Sequence, residues 1–137
     1  MSDKILVDSS ALIAYFISQE EHHQKIRKYV DEHPDIEWVV LSTVFSELIT
    51  WLRAQTNHSV SLKIGEFLKT DCEYLVLSDE HDDETRKNFK RFLDKEWSYT
   101  DCSLLTLSKY LNIPHVLTLD HHFRQMKNMG VIPCPDE

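Results

Sequence analysis

The sequence predicts an α/β fold built on a mostly parallel central sheet of four to five strands. Three observations carry the α/β reading. Short β-rich apolar runs alternate with longer helical patterns in the order β-α-β-α-β-α-β, which places parallel strands side by side with helices across both faces. The runs are almost continuously apolar rather than alternating, the mark of strands covered on two sides. The composition, with 42% hydrophobic and 28% charged residues, two Gly and four Pro, belongs to a globular chain and excludes collagenous or low-complexity ones.

Taken in order, the first strand is Ile5-Leu6-Val7, followed by a helical pattern over 10–17. Ser18-Gln19-Glu20-Glu21 has the Ser-x-x-Glu spacing of a capping box and opens a helix expected over 21–33. Trp38-Val39-Val40-Leu41 forms the second strand, with helices expected at 43–56 and 60–70. Tyr74-Leu75-Val76-Leu77 is the third, with helices expected at 82–96 and 99–111, the latter closed by Asn112-Ile113-Pro114. His115-Val116-Leu117-Thr118-Leu119 is the fourth, and Val131-Ile132 is the candidate for a short fifth. Without repeat, linker or composition shift, residues 1–137 are expected to form one domain.

Fifteen Lys and Arg stand against 23 Asp and Glu, a net charge of −8 with a pI near 5.4. This argues against broad electrostatic coating of nucleic acid and leaves room for a local basic face. The apolar runs are too short to span a membrane, and Asp3-Lys4 precedes the first, so a cytoplasmic protein is expected. Cys72, Cys102 and Cys134 are far apart, without Cys-x-x-Cys spacing, and read as free thiols. His22-His23 and His121-His122 are adjacent pairs whose side chains diverge, unlike the i, i+4 pair of a helical zinc site, and read as surface or packing residues. Trp38, Trp51 and Trp97 are expected in the core or at an interface.

The acids carry the functional argument. In an open parallel sheet, ligands gather beyond the carboxyl ends of the strands. Asp8 directly follows the first strand and Asp120 directly follows the fourth, so both face that crevice. Each also suits a helix N-cap, but caps at two strand ends would bring like charges together, and that repulsion calls for a cation. Glu47 is a lone acid in the apolar helical run Val44-Phe45-Ser46-Glu47-Leu48-Ile49-Thr50-Trp51-Leu52, one turn past the second strand and without a cation at helical spacing. Asp101 in Ser98-Tyr99-Thr100-Asp101 fits a capping box, and its first-turn position also favours negative charge. Four acids converging on one cleft suit Mg²⁺ or Mn²⁺, hard cations that prefer oxygen ligands. Such a site supports metal-assisted phosphodiester hydrolysis.

Over nearly its whole length the chain resembles the PIN-domain ribonucleases, in particular the VapC-type toxins of toxin–antitoxin pairs. The resemblance lies in Ile5-Leu6-Val7-Asp8-Ser9-Ser10-Ala11-Leu12-Ile13, Ser46-Glu47-Leu48, Ser98-Tyr99-Thr100-Asp101-Cys102 and Val116-Leu117-Thr118-Leu119-Asp120-x-His122-Phe123. Each motif is short, but four in this order at these strand ends are specific. The resemblance implies a compact PIN-like α/β/α sandwich whose Asp8, Glu47, Asp101 and Asp120 bind Mg²⁺ or Mn²⁺ and cleave single-stranded regions of RNA. It implies that Ser10, Thr100 and Thr118 are polar supports and that His122 has a structural role beside Asp120. It also implies an antitoxin partner and a homodimer, with Tyr15, Phe16 and Ile17 as an interface; from the residues alone that stretch is equally a core face. His22-His23 departs from the single polar or His position of the pattern.

The clearest basic feature is Arg86, Lys87, Lys90, Arg91 and Lys95, against Asp94 alone within residues 86–95. At about 100° per residue these cover one half of a helix, with Phe89, Phe92 and Leu93 on the other. The run is a solvated face or, lying just before the Asp101 helix, a phosphate-backbone contact. Rival readings fit less well. Aspartyl phosphotransfer lacks an Asp-x-Asp signature, a phospho-receiver would need a Lys after a late strand, and a PIN-like RNA-binding or assembly module without turnover would not need all four acids.

Overall fold

The computed structural model describes residues 3–135. Five strands run β1 Lys4–Val7, β2 Glu37–Leu41, β3 Glu73–Leu75, β4 His115–Leu117 and β5 Ile132–Cys134. All pair in parallel, in the order β3-β2-β1-β4-β5. The helices are α1 Ser9–Phe16, α2 His23–Glu32, α3 Ser42–Gln55, α4 His58–Asp71, α5 Asp79–Arg91 and α6 Tyr99–Leu111, with a 3₁₀ helix over His121–Met129. Successive strands step outward from β1 to β2 and β3, then resume on its other side with β4 and β5. That reversal makes the β1/β4 junction the switch point, where neighbouring connections diverge and open a crevice. Leu6 pairs with Val116 and Val7 with Leu117, and the Asp8 amide donates to the Leu117 carbonyl at 2.9 Å.

The core follows from the apolar runs. Ile5, Leu6 and Val7, Val39 through Leu41, and Val116 and Leu117 are buried, so the central strands are covered on both faces as expected. α6 is the most enclosed helix, with every residue from Asp101 to Ser108 buried. Its polar residues are satisfied locally. Thr106 donates to the Cys102 carbonyl and accepts from Thr85 and Asn88 of α5, and Ser108 donates to the Ile113 carbonyl. Asn112 ends α6 in the left-handed region at φ 55°, a conformation Asn tolerates better than most residues.

Several boundaries differ from expectation. The Ser18–Glu21 capping box does not form; those residues lie in turns and α2 starts at His23, with no side-chain cap from His22. The entry is fixed instead by a tertiary bond, His23 Nδ1 donating to the Ala14 carbonyl at 2.7 Å. β4 stops at Leu117, because beyond it Thr118 and Leu119 turn into the crevice and bond with Ser10. β5 covers Ile132–Cys134 rather than 131–132, paired with His115–Leu117. α5 ends at Arg91, short of the expected 96.

The two faces of α5 also depart from the helical-wheel expectation. Phe89 is 50% exposed and Leu93, beyond the helix, 88% exposed. The buried positions are Thr85 and Asn88, because α5 docks on α6 through hydroxyl and amide hydrogen bonds rather than an apolar stripe.

None of the three cysteines forms a disulfide among the described residues. Burial pushes the Cys72 and Cys102 thiols up to about 11, which keeps them protonated and unreactive at neutral pH. Trp97 is buried and donates from Nε1 to Gln125, while Trp38 and Trp51 are half-buried against the core. Tyr15, Phe16 and Ile17 are half-buried as well, and the two rings engage Trp38 and Phe67 of the same chain edge-on. Among the described residues no helix is long and apolar enough to cross a membrane.

Candidate active site

Asp8 stands at the N-cap of α1 but makes no capping hydrogen bond. Its carboxylate turns inward and is only 3% exposed. Oδ2 accepts from Ser10 Oγ at 2.8 Å and from Thr118 Oγ1 at 2.9 Å. Those hydroxyls accept in turn from the amides of Leu119 and Asp120, so the ends of β1 and β4 are tied by one network. Burial, reinforced by the nearby charges of Asp101 and Asp120 and opposed by the two hydroxyls, pushes this carboxyl up to about 7.

Asp101 and Asp120 are both caps and neighbours. Ser98 and Asp101 form the reciprocal box, with Asp101 Oδ2 accepting from the Ser98 amide at 3.0 Å and Ser98 Oγ accepting from the Asp101 amide at 3.0 Å. Asp120 Oδ1 caps the 3₁₀ helix by accepting from the His122 amide at 2.9 Å. The His122 ring then bridges the pair, with Nδ1 3.0 Å from Asp101 Oδ2 and 3.4 Å from Asp120 Oδ1. Asp101, Asp120 and His122 each offer a ligand atom within 4.8 Å of the others'. Capping thus explains Asp101 and Asp120 in part and does not explain Asp8.

Glu47, on α3, is exposed, and its Oε1 accepts from Ser9 Oγ at 2.6 Å. It therefore stands beside the start of α1, at the rim of the cleft. Neither Glu47 nor Asp8 joins the close group of Asp101, Asp120 and His122. Of the expected polar supports, Ser10 and Thr118 hold Asp8. Thr100 offers its carbonyl to Ser103, and among the described residues its hydroxyl bonds none of the acids. Sequence reasoning missed Ser9 as the anchor of Glu47 and the His122 contact to Asp101. The Asp-Ser-Ser run was the only hint of the first. For the second, the distance of 21 residues along the chain left no local signal.

The four acids share one property relevant to a cation. Each anchors a single oxygen to the protein, and among the described residues the other takes no hydrogen bond. Oriented carboxylates with a spare oxygen are the donors that Mg²⁺ and Mn²⁺ accept, and an added positive charge would favour the ionised form of Asp8 against the burial and the neighbouring acids that raise its carboxyl. The donor set fits a hard divalent cation.

The basic run is partly neutralised by its own neighbours. Arg86 pairs with Asp82 at 2.8 Å and with Asp83, one turn upstream. Lys95, just outside α5, lies 3.7 Å from Asp94. Lys87, Lys90 and Arg91 remain exposed on the helix surface.

Fold and site together define an α/β protein with a carboxylate-lined cleft at the switch point of a five-stranded parallel sheet. Residues 5–129 match the PIN domain family, and the chain belongs to that family. Among solved structures it is similar to the Mycobacterium tuberculosis VapC20 toxin, described as cleaving the sarcin-ricin loop. The TM-score is 0.82 at 15% identity, covering 93% of this chain and 96% of that one, a likeness of fold. A comparison with curated proteins finds no match.

Proposed function

We propose that this chain is a metal-dependent endoribonuclease that hydrolyses RNA phosphodiester bonds as the VapC-type toxin of a toxin–antitoxin pair. One observation carries the reading. Among the described residues Asp8, Glu47, Asp101 and Asp120 each keep a carboxylate oxygen without a hydrogen bond, and Asp8 makes no capping bond. Membership of the PIN family and the described activity of the M. tuberculosis neighbour support RNA as the substrate.

In this reading Asp101 and Asp120 would hold the ion, Mg²⁺ or Mn²⁺, and His122 keeps their spacing by donating from Nδ1 toward both. A bound cation supplies the acidity that ionises an attacking water and the charge that offsets the leaving oxygen. Asp8, oriented by Ser10 and Thr118, and Glu47, held by Ser9, would add negative charge around the ion. The exposed face of Lys87, Lys90 and Arg91, with Arg86 and Lys95 beside it, contacts the RNA backbone. The protein acts as one cytoplasmic domain, dimerises, and is held in check by an antitoxin protein.

The test is cleavage of RNA by the pure protein with Mg²⁺ or Mn²⁺. Asp8→Asn, Glu47→Gln and Asp101→Asn should each abolish it while circular dichroism shows the fold retained. Unchanged cleavage in any two of the three, in preparations free of contaminating nuclease, would overturn the assignment.

A further inference from the structure

Beside the acids lies a second feature of opposite charge. A cavity of about 200 Å³ opens between α2, the 3₁₀ helix and the ends of β4 and β5, and Lys25, Arg124, Lys127, His22 and Asp120 are among its lining residues. Asp120 therefore belongs both to the acid cluster and to this cavity. Arg124 and Lys127 are three apart on a 3₁₀ helix, where residues at i and i+3 eclipse, so both project to one side. His22 and Lys25 have the same spacing at the start of α2, where residues three apart also share a face. Two elements distant in sequence thus aim cations into one recess. In a chain of net charge −8 this is a local inversion of sign. Lys25 and Lys127 form no ion pair among the described residues, so the recess is not simply neutralised by the adjacent acids.

We propose that this recess is a phosphate subsite for the substrate strand, in which Lys25, Arg124 and Lys127 seat a backbone phosphate next to the one held at the carboxylates. The inference rests on the nuclease reading and adds to it the means by which an acidic protein holds a polyanion. A cation between the acids can neutralise only the phosphate it touches, whereas the neighbouring phosphate, one nucleotide away, meets Asp120. The basic recess offsets that repulsion on the side where the cavity opens. A groove lined this way contacts the backbone without reading bases, so it fixes the register of the strand and not its sequence.

Binding of a fluorescein-labelled single-stranded RNA tests this in EDTA, where metal-dependent hydrolysis does not compete. Lys25→Gln/Arg124→Gln/Lys127→Gln is compared with the parent and with Arg53→Gln/Lys63→Gln/Lys109→Gln, which removes the same charge elsewhere. Each lost phosphate contact should flatten the slope of log affinity against log salt by about 0.7, which narrows the loss of affinity between 50 and 200 mM KCl by about 2.6-fold. The control should keep the parent slope. In Mn²⁺ the recess variant should show a raised KM for the same RNA. Lys127→Gln alone should move both readouts in the same direction, which guards against a folding defect in the triple variant. If the parent cleaves RNA and the recess variants match it in slope and KM, the subsite is overturned and the nuclease reading stands. If the slope flattens but the parent never cleaves, the subsite stands and the nuclease reading falls.

Discussion

The protonation of Asp8 offers a test of the cluster that needs no substrate. The carboxyl has an ordinary value of 3.8 and is pushed up to about 7 in the fold, chiefly by burial. Between those values the folded state binds a proton that the unfolded chain has released, so stability falls as pH rises through this window. The stability tied to this proton is fully present below the unfolded value and lost by about pH 7. A shift of roughly 3 units corresponds to about 4 kcal/mol, accumulated at about 1.4 kcal/mol per pH unit. Asn at position 8 keeps the shape and an oxygen for Ser10 and Thr118 but cannot titrate. Urea unfolding in EDTA at half-unit steps from pH 5 to 7.5 should show the parent losing about 2 to 3 kcal/mol more than Asp8→Asn. Most other titrating groups cancel in the difference. Excess Mn²⁺ should flatten the parent's extra slope, since a nearby cation favours the carboxylate, and should leave the variant's slope unchanged. Parallel pH profiles for the two proteins in EDTA would refute the argument.

Three further outcomes follow from the local bonding. Asp120→Ala should cost about 1 kcal/mol in chelator by removing the 3₁₀ cap, whereas Asp120→Asn should be nearly neutral because Asn caps as well as Asp; thermal melts distinguish them, and only the parent should gain strongly from Mn²⁺ by mass action. Ser98→Ala should cost about 1 kcal/mol through the lost capping box and weaken Mn²⁺ binding by freeing Asp101, measurable by titration calorimetry. Phe123, fully buried behind Asp120 and His122 in sequence, should cost about 3 to 5 kcal/mol when replaced by Ala, read by denaturant unfolding.

The fold class and the positions of Asp8 and Asp120 were legible in the sequence because they depend on short-range pattern. Continuous apolar runs of β-branched and leucine residues report burial on both faces. An acid that ends such a run stands at the strand end, as Asp8 does after Val7, or just beyond it, as Asp120 does three residues past Leu117. The boundaries of α6 were equally local, set by Ser98 and Asp101 at one end and Asn112 at the other. Where tertiary contacts compete, local signals lost. Ser18-x-x-Glu21 gave way to the His23 bond with Ala14, and Phe89 of α5 was left exposed because Thr85 and Asn88 meet Thr106.

The chemistry of the site belongs to the tertiary structure for the same reason. No sequence spacing states that β1 lies between β2 and β4, yet that order brings Asp8 under the hydroxyl of Thr118, 110 residues away. Only packing decides that Asp8 is buried with its carboxyl raised while Glu47 is exposed and held by Ser9. The basic run 86–95, prominent on a linear scan, is partly compensated by Asp82, Asp83 and Asp94. Lys25 and Lys127, unremarked in sequence, converge on one recess beside Asp120. Coulomb interactions depend on distance in space and on local dielectric, and neither is a property of distance along the chain.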